Sequence, residues 1–138
     1  MKTLKNTIAI AATAVLFSSV SSGIVVAIST RDTIIKDFAV KAGAPLSAER
    51  GKALFETKAG GGKPETPSCT TCHGASPMNT GKTRAGKLIE PMAVSKTPER
   101  FTEIKKVKKW FRRNCKSVLG RECTPQEKGD FLTFMSSK

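Results

Sequence analysis

The feature that most constrains this chain is the run Cys69-Thr70-Thr71-Cys72-His73, which contains the only histidine in the sequence. Two cysteines at this spacing can form thioethers with the two vinyl groups on one edge of a porphyrin. The histidine that follows directly then lies where its imidazole can bind the iron. The motif therefore predicts one covalently bound haem c, tethered by Cys69 and Cys72, with His73 as the proximal iron ligand.

Two other uses of a Cys-x-x-Cys pair fit the sequence less well. A zinc site would take Cys115 and Cys123 as its second pair, but their spacing is wider than zinc-binding pairs usually have. A thioredoxin-like redox pair needs a strand-to-helix context, which the sequence around Cys69 does not show. Cys115 and Cys123 remain as a pair, and an oxidising compartment permits a disulfide between them.

Residues 1–27 have the pattern of an export signal, with a basic start at Lys2 and Lys5 and an apolar stretch behind it. The run Val25-Val26-Ala27 resembles a cleavage site, so we expect a periplasmic protein whose mature part begins near Ile28. An uncleaved membrane anchor is the alternative.

The chain carries a formal net charge of +13, which predicts docking on acidic surfaces. Nucleic acid is not expected as the partner, because an exported protein rarely meets it and the aromatic residues are not interleaved with the basic ones. Anionic lipid stays an alternative surface.

The predicted fold class is all-α, with one domain over residues 45–138 preceded by an N-terminal helical extension over residues 28–44. Residues 63–96 are rich in Gly, Pro, Thr and Ser, which indicates loops wrapped around the haem and one short helical turn. Three further helices are expected: from the N-cap Ser47 to about Lys58, from Thr97-Pro98 to about Asn114, and from the capping box Thr124-Pro125-Gln126-Glu127 onward.

The second axial position on the iron decides the function, because the chain has no second histidine. Small cytochromes c commonly use a methionine there, from the segment before the last helix, and that segment contains none here. Met78 and Met92 lie near the motif in sequence, and Met92 stays a candidate because it follows Pro91 in a loop. Met135 is expected to pack inside the last helix.

Asn114 is the other candidate for this position. It lies four residues after Trp110 and seven after Val107, so it continues the apolar face of its helix, where a solvent-facing residue is not expected. From spacing alone, Asn114 is equally consistent with an amide directed at the haem and with a helix C-cap.

The remaining arc of the same helix is strongly basic. Its members are Lys105, Lys106, Lys108, Lys109, Arg112 and Arg113, with Lys82, Arg84 and Lys87 in the haem loop. These side chains would steer an acidic redox partner toward the cofactor, and a merely solvated helix face is the alternative.

Two runs carry a resemblance to a known family. They are Pro67-Ser68-Cys69-Thr70-Thr71-Cys72-His73-Gly74 and Lys109-Trp110-Phe111-Arg112-Arg113-Asn114-Cys115-Lys116-Ser117-Val118-Leu119-Gly120-Arg121-Glu122-Cys123-Thr124-Pro125. From about residue 43 to 134 the chain resembles the sphaeroides haem proteins, which are class I cytochromes c. The resemblance implies a class I cytochrome c-like fold, His73 and Asn114 as iron ligands, and a disulfide between Cys115 and Cys123.

The same resemblance implies a function. In that family the reduced, high-spin iron binds oxygen or nitric oxide when the asparagine is displaced, so we expect a periplasmic monohaem electron-transfer cytochrome that binds diatomic gases. A dihaem or multihaem cytochrome c and a membrane cytochrome b are its expected partners. The alternatives are a plain Met-ligated carrier and an enzyme acting on oxygen, nitric oxide or a related substrate. The enzyme has little support, because the chain has no second histidine and no identified carboxylate to act as a catalytic acid or base.

Overall fold

The computed structural model describes residues 30–138, and the predicted signal segment, residues 1–27, lies outside the described residues. In chain order the elements are α1 (Thr30–Ala42), α2 (Ala48–Glu56), α3 (Thr70–His73), β1 (Gly81–Lys82), β2 (Leu88–Ile89), α4 (Ile104–Leu119) and α5 (Pro125–Ser136). No helix within residues 30–138 is long and apolar enough to cross a membrane.

Helix α5 forms the centre of the core, with α1 and α2 packed against it. Leu132 and Met135 of α5 are fully buried, as is Phe55 of α2. The Phe55 ring meets the rings of Phe131 and Phe134 at centroid distances of 6.3 and 6.1 Å. Gly51 lets the two helices approach closely, because a Cβ at this position would lie 2.0 Å from the carbonyl oxygen of Asp130. The predicted burial of Met135 is thus confirmed.

The start signals of two helices work as the sequence predicts. The Ser47 hydroxyl accepts a hydrogen bond from the backbone N–H of Arg50, so Ser47 is the N-cap of α2. At α5 the Thr124 side chain accepts from the backbone N–H of Glu127, and the Glu127 carboxylate accepts from the Thr124 N–H. Both predictions rest on bonds within four residues, and both are confirmed.

The predicted bounds of α4 are wrong at both ends. Thr97 does not cap this helix, because its hydroxyl donates to the carbonyl oxygen of Pro91 at 3.0 Å. Phe101 has φ of 64°, a left-handed conformation that breaks any helix begun at residue 98, so α4 starts at Ile104. It continues to Leu119 and ends on Gly120, with φ of 73°. Asn114 therefore lies inside the helix, and its interpretation as a C-cap is wrong.

Candidate haem site

The Cys-x-x-Cys-His run forms the single turn α3 and the residue before it. Ser68 fixes its start: the buried hydroxyl accepts from the backbone N–H of Thr70 at 3.2 Å and donates to the carbonyl oxygen of Phe55 in α2 at 3.3 Å. On the other side, Gly81 of β1 is so close that a Cβ there would lie 2.2 Å from the carbonyl oxygen of Cys72. The motif is thus held between the core and a short antiparallel hairpin.

Two groups of the motif, the imidazole of His73 and the thiol of Cys69, are neutral at neutral pH. Burial, and secondarily the positive charge of Arg100, lower the pKa of His73 to about 4. Burial raises the pKa of the Cys69 thiol to about 11. A neutral imidazole is the form of histidine that binds metals.

A cavity of about 670 Å³ opens beside the motif. Its walls include Cys69, Cys72 and His73 of the motif and, on α4, Val107, Trp110, Phe111 and Asn114. The volume lies in the range of roughly 300 to 1,000 Å³ that cofactor pockets usually have. The structure therefore brings the predicted tethers, the predicted proximal ligand and Asn114 to one cavity.

The three methionines considered for the second axial position end up in different places. Met135 is buried in the core, and the Met78 sulfur accepts a hydrogen bond from Ser95; neither lines the cavity. Met92 is nearly buried and does line it. Asn114 and Met92 therefore remain the two side chains to compare.

Helix α4 also places Trp110 at the cavity, one turn before Asn114. Its side chain is half exposed, although spacing predicts a packed residue. The Lys109 ammonium and the Arg113 guanidinium lie 5.7 and 5.3 Å from the ring centroid. Cation–π contacts of this kind hold the indole in place beside the cavity.

These residues fit a haem group. The Nδ1 atom of His73 is buried and has no hydrogen-bond partner among residues 30–138, which is unusual for a buried polar atom. Cys69 and Cys72 are free thiols. Lys87, Arg100 and Lys106 line the cavity and could pair with the haem carboxylates.

The zinc alternative does not hold. Cys115 and Cys123 are joined in a disulfide, with Cα atoms 5.6 Å apart, so they cannot serve as thiolate ligands. Within the described residues there is also no cluster of three or more His, Cys, Asp or Glu side chains placed to bind a metal ion.

The disulfide links the last turns of α4 to the start of α5, next to Asn114. A Cys115→Ser, Cys123→Ser variant is expected to lose about 2 to 3 kcal/mol of stability, because the cross-link restricts the unfolded chain. Urea unfolding of the haem-loaded protein measures this loss. Adding a reductant to the wild type should lower its stability by the same amount and leave the variant unchanged; an unaffected wild type would contradict the expectation.

Comparison with known proteins identifies the family. A family profile described as a domain of unknown function, DUF1924, matches residues 41–135. The cytochrome c-type protein SHP of Cereibacter sphaeroides is 54% identical over 105 residues, which is 76% of this chain and 81% of that protein. The chain belongs to the sphaeroides haem protein family.

Other relatives agree with this assignment. Cytochrome c'' of Methylophilus methylotrophus is 36% identical over 86 residues, covering 62% of this chain and 60% of that protein. The structure of oxidised SHP, described as an oxygen-binding cytochrome c, matches with a TM-score of 0.78 and 51% identity, over 81% of this chain and 100% of that one. The predicted sphaeroides haem protein family and all-α cytochrome fold are confirmed; this chain is a c-type cytochrome, which implies a haem c cofactor.

One residue of this sphaeroides haem protein site was given no role by the sequence. The Arg100 guanidinium donates to the carbonyl oxygens of Pro91 at 3.1 Å and Glu90 at 2.6 Å, which fixes the loop carrying Met92. Arg31 of α1 donates in turn to the carbonyl oxygen of Arg100 at 2.8 Å. Backbone acceptors on a neighbouring loop leave no periodic signal in the sequence, so spacing could not reveal this network.

Proposed function

We propose that this protein is a periplasmic electron-transfer cytochrome with one haem c attached through Cys69 and Cys72, and that its reduced, high-spin form binds oxygen or nitric oxide when Asn114 is displaced. The observation that carries the proposal is the cavity shared by the motif and Asn114. The family relative whose structure is described as an oxygen-binding cytochrome c supports it. The export pattern in residues 1–27 supports the location.

A bound haem would supply a one-electron redox centre. His73 would be one ligand of its iron, because its ring is neutral and its backbone N–H is bonded to the Cys69 carbonyl oxygen at 3.1 Å. Asn114 would be the second ligand. A side-chain amide oxygen is a weak, hard ligand that suits ferric better than ferrous iron, so reduction favours its release.

The surroundings of Asn114 suit a side chain that moves. It is exposed to the cavity and has no hydrogen bond that would tie its amide to another of the described residues. Its backbone is fixed, because α4 continues for five residues beyond it to Leu119 and the disulfide begins at the next residue, Cys115. Any release is therefore a side-chain rotation, with the helix left in place.

Replacing Asn114 tests this proposal. Asn114→Ala is expected to change the ferric spin state and to raise the nitric oxide affinity of the reduced protein by about tenfold, because the internal competitor is gone. Optical and resonance Raman spectra of both oxidation states measure the first effect, and a nitric oxide titration measures the second.

Met92→Leu is the matched control, since Met92 lines the same cavity and leucine keeps its volume. It should leave spin state and affinity unchanged. If Met92→Leu alters them and Asn114→Ala does not, the protein is a plain Met-ligated carrier.

We also propose an acidic redox partner of the dihaem or multihaem cytochrome c type, with a membrane cytochrome b further along the path. The support is the positive charge, which is +13 for the whole chain and +11 (22 basic minus 11 acidic residues) without residues 1–27, and the exposure of the basic arc of α4. Electrostatic attraction of this kind raises association rates and weakens with salt.

A further inference from the structure

Helix α4 borders a second concavity that shares no residue with the haem cavity. This groove, about 540 Å³ in volume, lies among α1, α4 and α5. Its basic side chains are Lys41, Lys105, Lys108, Lys109, Arg112 and Lys128, and we refer to it as the basic groove. The structure thus divides the arc of α4: four of its six cations line the groove, whereas Lys106 lines the haem cavity.

Most of the charge of the basic groove is not balanced by the protein itself: of its cations, Lys41 alone has an ion-pair partner among residues 30–138, Asp37 of α1. Of the residues that line it, Glu122 alone is acidic. Lys105, Lys108 and Arg112 form no ion pair with any residue in the described range 30–138. Residues 1–29 contain no Asp or Glu, so they cannot supply the missing counter-charge.

The positions of these cations also work against the stability of α4. Lys105 and Lys109 are four residues apart, as are Lys108 and Arg112, so each pair places like charges side by side on the helix surface. A bound anion would relieve this repulsion. The groove therefore has the chemistry of a site for several negative charges at once.

One aromatic contact connects the basic groove with the haem cavity. Phe38 lines the groove, Phe111 lines the cavity, and their rings meet edge to face with centroids 6.2 Å apart. These two rings therefore lie between the groove and the cavity. A redox partner docked there would therefore be brought close to the haem.

We propose that the basic groove binds an acidic segment of the electron-transfer partner. The concave shape between three helices favours a protruding chain segment over a flat membrane surface. The proposal deepens the electron-transfer role and rests on it, but the binding itself requires neither Asn114 nor a gas ligand.

The test is binding of a fluorescein-labelled peptide of ten glutamates to the oxidised, haem-loaded protein at low ionic strength, followed by fluorescence anisotropy. The groove variant is Lys105→Gln, Lys108→Gln, Arg112→Gln. The matched control is Lys58→Gln, Lys63→Gln, Lys96→Gln, which removes the same charge from exposed positions outside both concavities. We expect about tenfold weaker binding for the groove variant and less than about twofold for the control, because local complementarity exceeds the effect of net charge.

Equal losses in the two variants would overturn the proposal, since net charge alone would then explain binding. Vesicles of phosphatidylglycerol form the second arm. If the groove variant loses vesicle binding but keeps peptide binding, the groove is a membrane site and the proposal is wrong. Nitric oxide titration of the groove variant should match the wild type, so a failure of the Asn114 proposal remains distinguishable from a failure of this one.

Discussion

A Cys69→Ser, Cys72→Ser variant is expected to contain no covalently bound haem. Thioether bonds require thiols, and the other two cysteines of the chain are joined to each other. Mass spectrometry of the protein unfolded in acid measures the result, since covalent haem stays with the polypeptide and His73-bound haem does not. Each single variant should keep haem through one thioether, at lower yield.

The disulfide variant, Cys115→Ser, Cys123→Ser, is the matched control, because it also replaces two cysteines at the border of the cavity. It should retain the full mass of the haem-loaded chain. Covalent haem in the Cys69, Cys72 variant would refute the assignment of the tethers.

The loss of haem should also loosen the fold. The cavity of about 670 Å³ is bordered by Val107, Phe111 and Phe131, whose side chains otherwise form part of the core. Without a haem, their cavity-facing surfaces have no packing partners. We expect the haem-free variant to unfold at lower temperature and with lower cooperativity than the disulfide control.

What the sequence could predict depends on the range of the interactions involved. Ser47 and Thr124 cap their helices through bonds within four residues, so the local sequence is sufficient to predict both helix starts. The start of α4 was mispredicted because Thr97 and Arg100 bond to Pro91 on a neighbouring loop, and Phe101 then takes a left-handed conformation. No local propensity encodes that arrangement.

For the haem site, too, the residues that depend on local sequence could be predicted and those that depend on long-range contacts could not. Cys69, Cys72 and His73 are adjacent, so their shared chemistry could be predicted from the sequence. Asn114 could be placed on the right face of its helix by spacing, but whether it was a cap depended on where the helix ends. Met92 also lines the cavity, because hydrogen bonds from Arg100 hold its loop in place. Hydrophobic periodicity gives no information about such bonds.

The polar link between α2 and α5 should dominate the stability of the core. Asp130 is 4% exposed in its side chain and accepts hydrogen bonds from the Arg50 guanidinium at 2.7 Å, the Ser47 N–H at 2.6 Å and the Gln126 amide at 3.0 Å. Asp130→Ala removes the acceptor of all three bonds, while Arg50 and Gln126 keep their hydrogen bonds to the carbonyl oxygen of Pro45. We expect a loss of about 2 to 3 kcal/mol in urea unfolding at pH 7. Glu56→Ala, which breaks the exposed pair with Lys52, should cost less than about 1 kcal/mol.

The pH dependence of this loss provides the stricter test. Burial acts to raise the pKa of Asp130, but the hydrogen bonds from Arg50, Ser47 and Gln126 outweigh it and hold the pKa below its usual value. A carboxylate with a lowered pKa stabilises the fold above its unfolded pKa of about 4, and this contribution disappears as the pH falls through the native pKa. The wild type should therefore lose stability below about pH 4, and Asp130→Ala should lose less.

The acid sensitivity should not vanish in that variant, because a second carboxylate titrates in the same window. The hydrogen bond from Arg121 is the main reason that the pKa of Glu127 is lowered to about 2, and Glu127 also completes the capping box of α5. Asp130→Ala should keep this part of the pH dependence, and adding Glu127→Gln should remove most of the remainder. If Asp130→Ala unfolds with the same dependence on pH as the wild type, Asp130 does not act through its charge, and its role in the core is limited to hydrogen bonds that a protonated carboxyl can also make.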